Sequence, residues 1–510
     1  MTSLADEMFQ ASMDWTPLYP TMLGLPGWDD KLTDLSEEGQ QVLRARITDI
    51  LSRAETSDED PVTLAVLRHQ GRAIIDRIDA RLSEHAVATM LEAPVIGLLM
   101  MAPHVDMSQR TGKVARYVEQ AAERLQGSER RPLRRHVEIG VTRLESFLAS
   151  PVQEWEGDHS AEIRTAIAGY RDVLRSIENP RGDDQPGLCW LPDGERNYVN
   201  MARSYTTTSY TPRELHDLGL ESMARLREEY AEIGSRVWGT KDVPEIFHRL
   251  RTELLWDNED EMVASALEAI ARAEAEAPKW FGRMPKTGCE VRLVDEAERQ
   301  VAAIAYYDLA SLDGTRPGTY WLNPLNATER SRTQSEVTAF HEAVPGHHYQ
   351  LSIAAETDLP NLRRFAFIEA YIEGWGLYSE RLADEMGLYS SDEQRLGMLA
   401  LDAIRAGRLV VDTGLHAFGW SRQQAVDYLR EHTAMAESEI SSEVDRYIEA
   451  PGQALAYMVG RLEIQRVRAE AEAKLGDRFD VRAFHDLVIG SGSVPLSVLD
   501  DIVTAWTASP

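Results

Sequence analysis

Cysteine is almost absent from this chain, which has only Cys189 and Cys289 among its 510 residues. Disulfide-stabilised domains need several paired cysteines, and structural zinc sites usually take cysteines at short spacings. Two cysteines so far apart support neither arrangement. We therefore expect no disulfide framework and no cysteine-bound zinc, which favours a cytoplasmic location.

Positive charge and long apolar runs are also scarce. Lys and Arg number 54 against 84 Asp and Glu, a net charge of −30, which disfavours nucleic acid as a partner because its phosphates need a basic surface. Apolar runs such as residues 93–102 are too short to span a bilayer. Residues 1–14 show no basic start followed by an apolar core, so we expect no secretory signal and no membrane partner.

One segment is unusually dense in reactive groups: residues 341–348 read HEAVPGHH, with three imidazoles and a carboxylate. In the HExxH pattern, two histidines one helical turn apart bind one zinc ion, and the glutamate between them is the general base. Here Pro345 occupies the position of the second histidine. We predict that His341 is a metal ligand and that Glu342 takes the proton from an attacking water.

The second histidine ligand is either His347 or His348. In a straight helix, a spacing of seven returns to nearly the same face but about 10.5 Å further along the axis, whereas one zinc ion needs both nitrogens at about 2.0–2.1 Å. Proline removes a helical hydrogen bond and glycine tolerates unusual backbone angles, so Pro345 and Gly346 can bend the chain. We expect this bend to bring one later histidine to the metal, and helical phase favours His348.

The third ligand is expected from a second helix, predicted over residues 367–380. Glu369 and Glu373 share a helical face, and Glu380 lies on nearly the same face. A carboxylate from a following helix commonly completes a zinc site and leaves a fourth position for water. We predict Glu373 as this ligand, with Glu369 and Glu380 as alternatives, and one zinc ion as the cofactor.

Most of the chain shows helical periodicity. The clearest predicted helices cover residues 61–88, 107–126, 132–149, 162–178, 212–234 and 258–278. Residues 179–187 (NPRGDDQPG) break this pattern. We therefore predict an amino-terminal helical region over residues 1–180 and a catalytic region over 188–510, together forming one continuous fold. Short strands are predicted at residues 289–294, 302–307 and 319–323.

Two segments, HEAVPGHHYQ at residues 341–350 and IEGWGLYSE at 372–380, resemble the large bacterial family known as "domain of unknown function 885". Its members are regarded as zinc metallopeptidases, distantly similar to the gluzincin oligopeptidases and carboxypeptidases. The resemblance extends over residues 190–505. In the amino-terminal third of the chain, only the helical character matches. Further matching segments are YTTT at 205–208 followed by TP at 211–212, SLDGTRPG at 311–318, VDTGLH at 411–416, RY at 446–447 with PGQA at 451–454, and FHD at 484–486.

The resemblance implies a mainly α, multi-helix, zincin-like peptidase fold with a small β-sheet beside the metal helix and a deep cleft. In gluzincins the second histidine often follows glycine, which favours His347. Related peptidases also use a tyrosine or histidine of the carboxy-terminal region to stabilise the oxyanion of the tetrahedral intermediate. The matching candidates here are Tyr457, Tyr447 and His416.

Substrate binding is expected from a strand and from two arginines. In related peptidases an edge strand holds extended peptide by backbone pairing, and the candidate edge is residues 320–323, with Tyr320 and Trp321. Arg316 and Arg446 are candidates to bind a substrate carboxylate through paired hydrogen bonds. We therefore expect a zinc peptidase that acts on short peptides or a peptide-like metabolite.

Two alternatives stand beside this expectation. Carboxylates and histidines on helices also bind iron or manganese, although such sites usually take two Glu-x-x-His pairs, which we do not find. The second alternative is a peptide-binding homologue that has lost catalysis. The presence of Glu342 argues against it, because binding alone needs no base.

Overall fold

The computed structural model describes residues 3–89, 106–296, 299, 302–312, 314 and 316–508. The chain divides into two compact units. The first comprises Met1–Ser204, Gly414–Ala425 and Glu443–Pro451, and the second comprises Tyr205–Thr413, Val426–Ser442 and Gly452–Pro510. Residues 179–187, which break the helical pattern and were predicted to separate the two regions, lie inside the first unit.

Helices make up 68% of the structure, which confirms the prediction of a mainly helical fold. The helices before the sheet are α1 (Leu4–Trp15), α2 (Leu18–Met22), α3 (Glu37–Ala54), α4 (Pro61–Ala80), α5 (Ser108–Thr111), α6 (Val114–Gln126), α7 (Arg134–Ala149), α8 (Ser160–Arg175), α9 (Gly194–Thr206), α10 (Pro212–Val237), α11 (Val243–Thr252) and α12 (Glu259–Glu276). The strands are β1 (Cys289–Leu293), β2 (Ala305–Asp308) and β3 (Gly318–Leu322). The helices after the sheet are α13 (Ser335–Glu342), α14 (His347–Ala355), α15 (Asn361–Phe365), α16 (Glu369–Glu385), α17 (Asp392–His416), α18 (Arg422–His432), α19 (Glu437–Glu449), α20 (Ala456–Leu475), α21 (Val481–Gly490) and α22 (Leu496–Ala508).

Helices α6, α7 and α8 build a continuous core in the first unit. The buried residues of α6 include Val114, Val118, Ala121 and Leu125. Those of α8 include Ile163, Ile167, Tyr170 and Leu174. Spacings of three, four and seven residues place each set on one helical face. Burying one aliphatic side chain of this kind contributes about 1.5–3 kcal/mol relative to leaving it exposed, so these faces hold the three helices together.

The second unit is organised around α16 and α20, which cross at a very short distance. A Cβ atom added to Gly460 would lie 1.9 Å from the carbonyl oxygen of Ala370 and 2.6 Å from Cα of Gly374. A Cβ atom on Gly374 would lie 2.5 Å from Cα of Gly460. The two backbones therefore touch directly. Helix α16 also packs on α13, so the crossing determines where the glutamates of α16 lie.

Strand β3 lies at the centre of a three-stranded sheet with the order β1–β3–β2. It pairs in parallel with β1 and antiparallel with β2, so that Tyr320 is opposite Val291 on one side and Tyr307 on the other. The prediction that residues 320–323 form a free edge strand is therefore wrong, because both backbone edges of β3 are already paired. In the described part of the chain, the outer strands are β1 and β2.

The sheet lies beside the helices that carry the histidines. Strand β2 contacts both α13 and α14, and β3 contacts α14. A small sheet next to the predicted metal helix is thus present, with a strand order that the sequence did not reveal.

No helix among the described residues combines the length and the apolar character needed to cross a membrane. The apolar run at residues 93–102, predicted to be too short to span a bilayer, lies outside the described residues.

Replacing Gly460 by alanine should destabilise the second unit. The added methyl group overlaps the Ala370 carbonyl group, and overpacking of this kind typically costs about 1–3 kcal/mol. Thermal unfolding followed by circular dichroism should show a lower melting temperature. The matched control is Gly169→Ala in α8, where a Cβ atom would meet nothing within 4 Å and alanine is the better helix former. Equal melting temperatures for the two variants would contradict the close crossing.

Candidate metal centre

The octapeptide forms two helices joined by a turn. Helix α13 ends at Glu342 and α14 begins at His347. Between them, Ala343 (φ −107°, ψ −99°) and Gly346 (φ −79°, ψ −130°) have non-helical backbone angles. A Cβ atom on Gly346 would lie 1.8 Å from the carbonyl oxygen of His341, so the chain folds back tightly here. The predicted bend is therefore a complete break of the helix.

Helix α16 anchors this turn. The carbonyl oxygen of Pro345 accepts hydrogen bonds from the indole nitrogen of Trp375 at 2.9 Å and from Oγ of Ser379 at 3.2 Å. Both donor side chains are fully buried. Because Pro345 lies between the two histidine-bearing helices, these bonds set the position of His347 relative to the glutamates of α16.

The turn brings His341, His347 and Glu373 together, with one potential ligand atom from each within 4.8 Å of the others. Nε2 of His341 is 3.5 Å from Oε2 of Glu373, and Nε2 of His347 is 3.4 Å from the same oxygen. Two ligands of a tetrahedral zinc ion, each about 2.0–2.1 Å from the metal, lie about 3.3–3.4 Å apart. These spacings therefore fit a tetrahedral zinc site with a fourth corner for water or substrate.

The balance of buried polar atoms also fits a bound cation. His341 and His347 are buried, and one oxygen of Glu373 faces both rings. Burying imidazole and carboxylate groups is costly unless they are paired. Two histidine nitrogens and a glutamate oxygen are a donor set of hydrolytic zinc sites, so the residues present fit this metal.

Glu380 orients His341 from behind. Its Oε1 lies 2.8 Å from Nδ1 of His341, and the carboxylate is fully buried. A carboxylate at Nδ1 keeps the ring proton there and directs the lone pair of Nε2 to the metal side. Gly376 makes room for the ring, since a Cβ atom there would lie 2.5 Å from Cε1 of His341. Glu369, the other predicted alternative, is not part of the three-residue group.

The protonation states show how strongly the three ligands interact. Burial lowers the pKa of His341, but hydrogen bonds to Glu373 and Glu380 outweigh this effect and raise the pKa to about 10. Burial raises the pKa of Glu373, yet hydrogen bonds from His341 and His347 outweigh it and hold the pKa well below its ordinary value. In the absence of a metal ion, protonated His341 thus supplies the positive charge that pairs with the buried carboxylates.

Glu342, the predicted base, is the last residue of α13 and its side chain is buried. Burial raises the pKa of Glu342, with the negative charge of Glu373 acting in the same direction and the charges of His341 and His347 opposing it. A carboxylate whose pKa is raised accepts a proton from water more readily near neutral pH. Glu342 therefore combines proximity to the ligands with the basicity its predicted role needs.

His348 lies outside the ligand group. Its Nδ1 is 2.9 Å from Oη of Tyr307, and the main chain of Thr287 forms a further hydrogen bond with the ring. Burial lowers the pKa of His348 to about 4, so the ring is neutral. Of the two predicted alternatives, the structure thus brings His347 to the group, as the Gly-His order implied. Helical phase favoured His348 only on the assumption of one continuous helix.

Two of the predicted oxyanion-stabilising residues, and one arginine, belong to the first unit and have partners there. Nδ1 of His416 accepts a hydrogen bond from the amide of Leu188 at 3.1 Å, and Nε2 lies 3.0 Å from the carbonyl oxygen of Tyr447. The hydroxyl of Tyr447 donates to the carboxylate of Glu443, to which Nε of Arg446 also donates at 3.1 Å. These contacts are structural within that unit.

Tyr457 and Arg316 lie in the second unit. The ring of Tyr457 covers the guanidinium of Arg408 at 4.6 Å, and its hydroxyl lies 3.5 Å from Nε2 of Gln453. Arg316 lies in the loop before β3, where its amide donates to Oγ of Ser311 at 2.9 Å. The ligand group defined by distance contains neither residue.

Tyr320 and Trp321 point to opposite faces of β3. Tyr320 is fully buried, and its hydroxyl has no hydrogen-bond partner in the described part of the chain. Burial raises the pKa of Tyr320, and the negative charge of Glu342 adds to this effect. Trp321 is partly exposed, and its indole nitrogen donates to Oδ2 of Asp308 at 2.9 Å.

Sequence reasoning missed Gly376 and gave Glu380 a different role. Glycine inside a helix lowers its stability and often marks close packing, so the GWG at residues 374–376 was a usable signal for the space that His341 needs. The helical face of Glu380 was recognised, but its role depends on which ring nitrogen it meets, and spacing along the chain carries no information on that point.

Replacing Glu380 by glutamine should weaken zinc binding about 10–100-fold, the usual effect of changing the partner behind a histidine ligand. Glutamine keeps the size of the side chain but removes its charge. Competition with a chromophoric chelator measures the affinity. The matched control is Glu385→Gln on the same helix, where Glu385 pairs with Arg468 at 2.8 Å. Equal zinc affinities for the two variants would contradict an orienting role for Glu380.

Zinc binding should release a proton from His341. Because the pKa of this ring is about 10 in the metal-free protein, zinc must displace a proton at every lower pH. The affinity should therefore rise with pH, about tenfold per unit for each proton displaced, and level off above the pKa. Titration calorimetry in buffers of different ionisation enthalpy measures the protons released. A binding heat independent of the buffer at pH 7 would overturn this prediction.

The comparisons with known proteins support one assignment. The profile of a bacterial family described as "Bacterial protein of unknown function (DUF885)" matches residues 17–503. The chain is similar to a crystal structure described as "the putative lipoprotein from Colwellia psychrerythraea", with 25% identity and a TM-score of 0.84 over 99% of this chain and 98% of that one. It is also similar to a structure described as "a putative lipoprotein of unknown function from Shewanella oneidensis", with 17% identity and a TM-score of 0.76 over 99% of this chain and 100% of that one. No curated protein matches the chain. The chain therefore belongs to the bacterial family of unknown function DUF885.

Proposed function

We propose that this protein is a zinc-dependent peptidase that hydrolyses amide bonds of short peptides or of a peptide-like metabolite. The observation that carries the proposal is the grouping of His341, His347 and Glu373, in which Nε2 of each histidine lies 3.4–3.5 Å from Oε2 of Glu373. The buried carboxyl group of Glu342 directly follows His341 in the chain. Ligands alone would suffice for a structural zinc site. The adjacent base is what favours hydrolysis.

The residues of the ligand group have separate functions in this proposal. His341 and His347 would hold the zinc ion through Nε2, and Glu373 through Oε2. When bound, zinc supplies Lewis acidity, which polarises a carbonyl group and lowers the pKa of a water molecule. Glu380 keeps the proton of His341 on Nδ1, so that Nε2 stays available as a ligand.

Glu342 acts as the general base and then as the general acid. Its carboxylate takes a proton from the attacking water, and the burial that raises its pKa favours this step. It then gives the proton to the leaving amine, which restores the carboxylate. We keep Tyr457 as the candidate that stabilises the oxyanion, because it belongs to the same unit as the ligand group, whereas Tyr447 and His416 belong to the first unit.

The burial of the reacting groups supports short substrates. His341, His347 and Glu342 are each less than 10% exposed, so only an extended chain or a small molecule could reach them. We propose a zincin-like arrangement, with these groups at the bottom of a cleft. Two histidines and one carboxylate also bind iron(II) in oxygenases. Glu342 favours the hydrolytic assignment, because oxygen chemistry at iron needs no such base beside the ligands.

Replacing Glu342 by glutamine should abolish most hydrolysis and leave zinc binding intact. General acid–base catalysis typically contributes about 10²–10⁴-fold to the rate, so kcat should fall by this factor. Incubation of the zinc-loaded protein with a defined peptide mixture, followed by mass spectrometry, measures cleavage, and plasma emission spectrometry measures one zinc ion per chain. Hydrolysis at the wild-type rate by a zinc-loaded Glu342→Gln variant would contradict the assignment of Glu342 as the general base.

The matched control is Glu356→Gln. Glu356 directly follows α14 and accepts a hydrogen bond from the amide of Lys286 at 2.7 Å, so its substitution tests the loss of a glutamate outside the ligand group. This variant should cleave as wild type. Purified protein that carries iron or manganese instead of zinc would favour the oxygenase-type alternative.

A further inference from the structure

The first unit contains a cavity of about 350 Å³, lined by residues of α3, α4, α6 and α9 and by Arg81. All of the lining residues belong to that unit, whereas the ligand group of the metal centre belongs to the second. Apart from Ile78, every lining residue is polar or charged, and the lining includes three arginines, two carboxylates and four side-chain amides. Small-molecule sites usually measure about 300–1,000 Å³ and are mostly apolar. This cavity therefore fits a small and strongly polar ligand.

Two of the arginines are held by one buried carboxylate that does not itself line the cavity. Nε of Arg81 donates to Oε1 of Glu84 at 2.6 Å, and Nη2 of Arg124 donates to the same oxygen at 3.1 Å. Nη1 of Arg124 also donates to Oε1 of Gln40 at 2.9 Å. Arg124 and Glu84 are both buried. These bonds fix the two guanidinium groups without a ligand, which lowers the entropy lost when a ligand binds.

Asn197 brings a buried donor without a partner to the same cavity. The residue is 2% exposed, and its Nδ2 forms no hydrogen bond within the described part of the chain. Nε of Arg124 is likewise buried without a partner there. Buried polar groups are nearly always hydrogen-bonded, and a buried donor left unpaired is costly. Two such donors on residues that line one cavity indicate that a ligand supplies acceptor oxygens.

Charges of both signs complete the lining. The side chain of Arg196 is 67% exposed, and its contact with Asp193 is long, at 3.4 Å. Oε2 of Glu37, also on an exposed side chain, lies 3.5 Å from Nη1 of Arg81 and 3.4 Å from Nη1 of Arg124. Glu37 would repel a simple anion, and the arginines would repel a simple cation. A ligand that carries both charges a few bonds apart avoids both penalties.

We propose that this cavity binds a small zwitterion, either a free amino acid or a dipeptide. The carboxylate of the ligand accepts hydrogen bonds from Arg124 and Arg196, because the planar guanidinium fork matches its two oxygens. The ammonium group pairs with Glu37. Asp79 is less available to it, since Asp79 already pairs with Arg44 at 3.1 Å. This inference goes beyond the proposed function and does not depend on it.

Titration calorimetry with the full-length protein tests the class of ligand. The probes are the amino acids that occur in proteins, glycylglycine, acetate and inorganic phosphate. At least one zwitterion should bind with a Kd below about 1 mM. Its N-acetyl form lacks the ammonium group, and its amide form lacks the carboxylate. Each should bind about tenfold or more weakly, as expected when a charged hydrogen bond is lost. The tighter of the amino acids and glycylglycine identifies the source of the zwitterion.

Two substitutions on α9 test the location of the site. Asn197→Leu keeps the size of the side chain and removes the donor, so it should weaken binding about tenfold or more. The melting temperature should stay unchanged, because the lost nitrogen has no partner in the described protein. Arg196→Gln should weaken binding of the zwitterion but not of its amide form. This second variant serves if the leucine variant does not fold, since surface substitutions rarely affect stability.

The matched control is Arg203→Gln on the same helix. Arg203 pairs with Asp76 at 3.3 Å and is not among the residues that line the cavity, so this variant should bind the zwitterion as the wild type does.

Two results would overturn the inference: every zwitterion binding no more tightly than acetate or phosphate, or a zwitterion affinity that both α9 substitutions leave unchanged. Both are separable from failure of the proposed function, because the substitutions do not touch the ligand group of the second unit and binding requires no hydrolysis. A protein that binds the zwitterion but cleaves no peptide would support this site and contradict only the peptidase activity.

Discussion

The hydrogen bonds from Trp375 and Ser379 to the carbonyl oxygen of Pro345 are the contact on which the rest of the site depends. They tie the turn between the two histidine-bearing helices to α16. The same helix carries Glu373, which faces both histidines, and Glu380, which holds one of them from behind. One helix therefore supplies the carboxylate ligand, the orienting partner and the anchor of the turn, so these groups keep a common geometry.

Charge is the second constraint on this site. In the absence of a metal ion, a proton on His341 would offset the charge of the buried carboxylates, since the pKa of His341 is raised to about 10 against the opposing effect of burial. A divalent cation would take over that role and release the proton. The two arginines that share Asp402 stabilise the adjoining helices by pairing.

Much of the fold and part of the site could be predicted, because they follow from short-range patterns. Apolar spacing indicated the helices, and the His-Glu pair with a later glutamate indicated His341, Glu342 and Glu373, which the structure brings together. The choice between His347 and His348 could not be predicted from the angular positions of residues around a helix. Those positions are defined only within one continuous helix, and here the helix is broken between His341 and His347. The prediction that β3 is an edge strand was wrong, because the order of strands in a sheet depends on which distant segments pair. A central strand and an edge strand of this length have similar sequences.

The sequence by itself determined the types of donor, the approximate positions of the helices and the existence of a small sheet, because these depend on residues within a few positions of one another. Only the tertiary structure decided that Glu380 stands behind His341 and that Gly376 makes space for its ring. Each of these depends on contacts between helices far apart in the chain. Such contacts are set by how whole helix faces pack, and α16 could cross α20 closely only where both backbones lack a side chain.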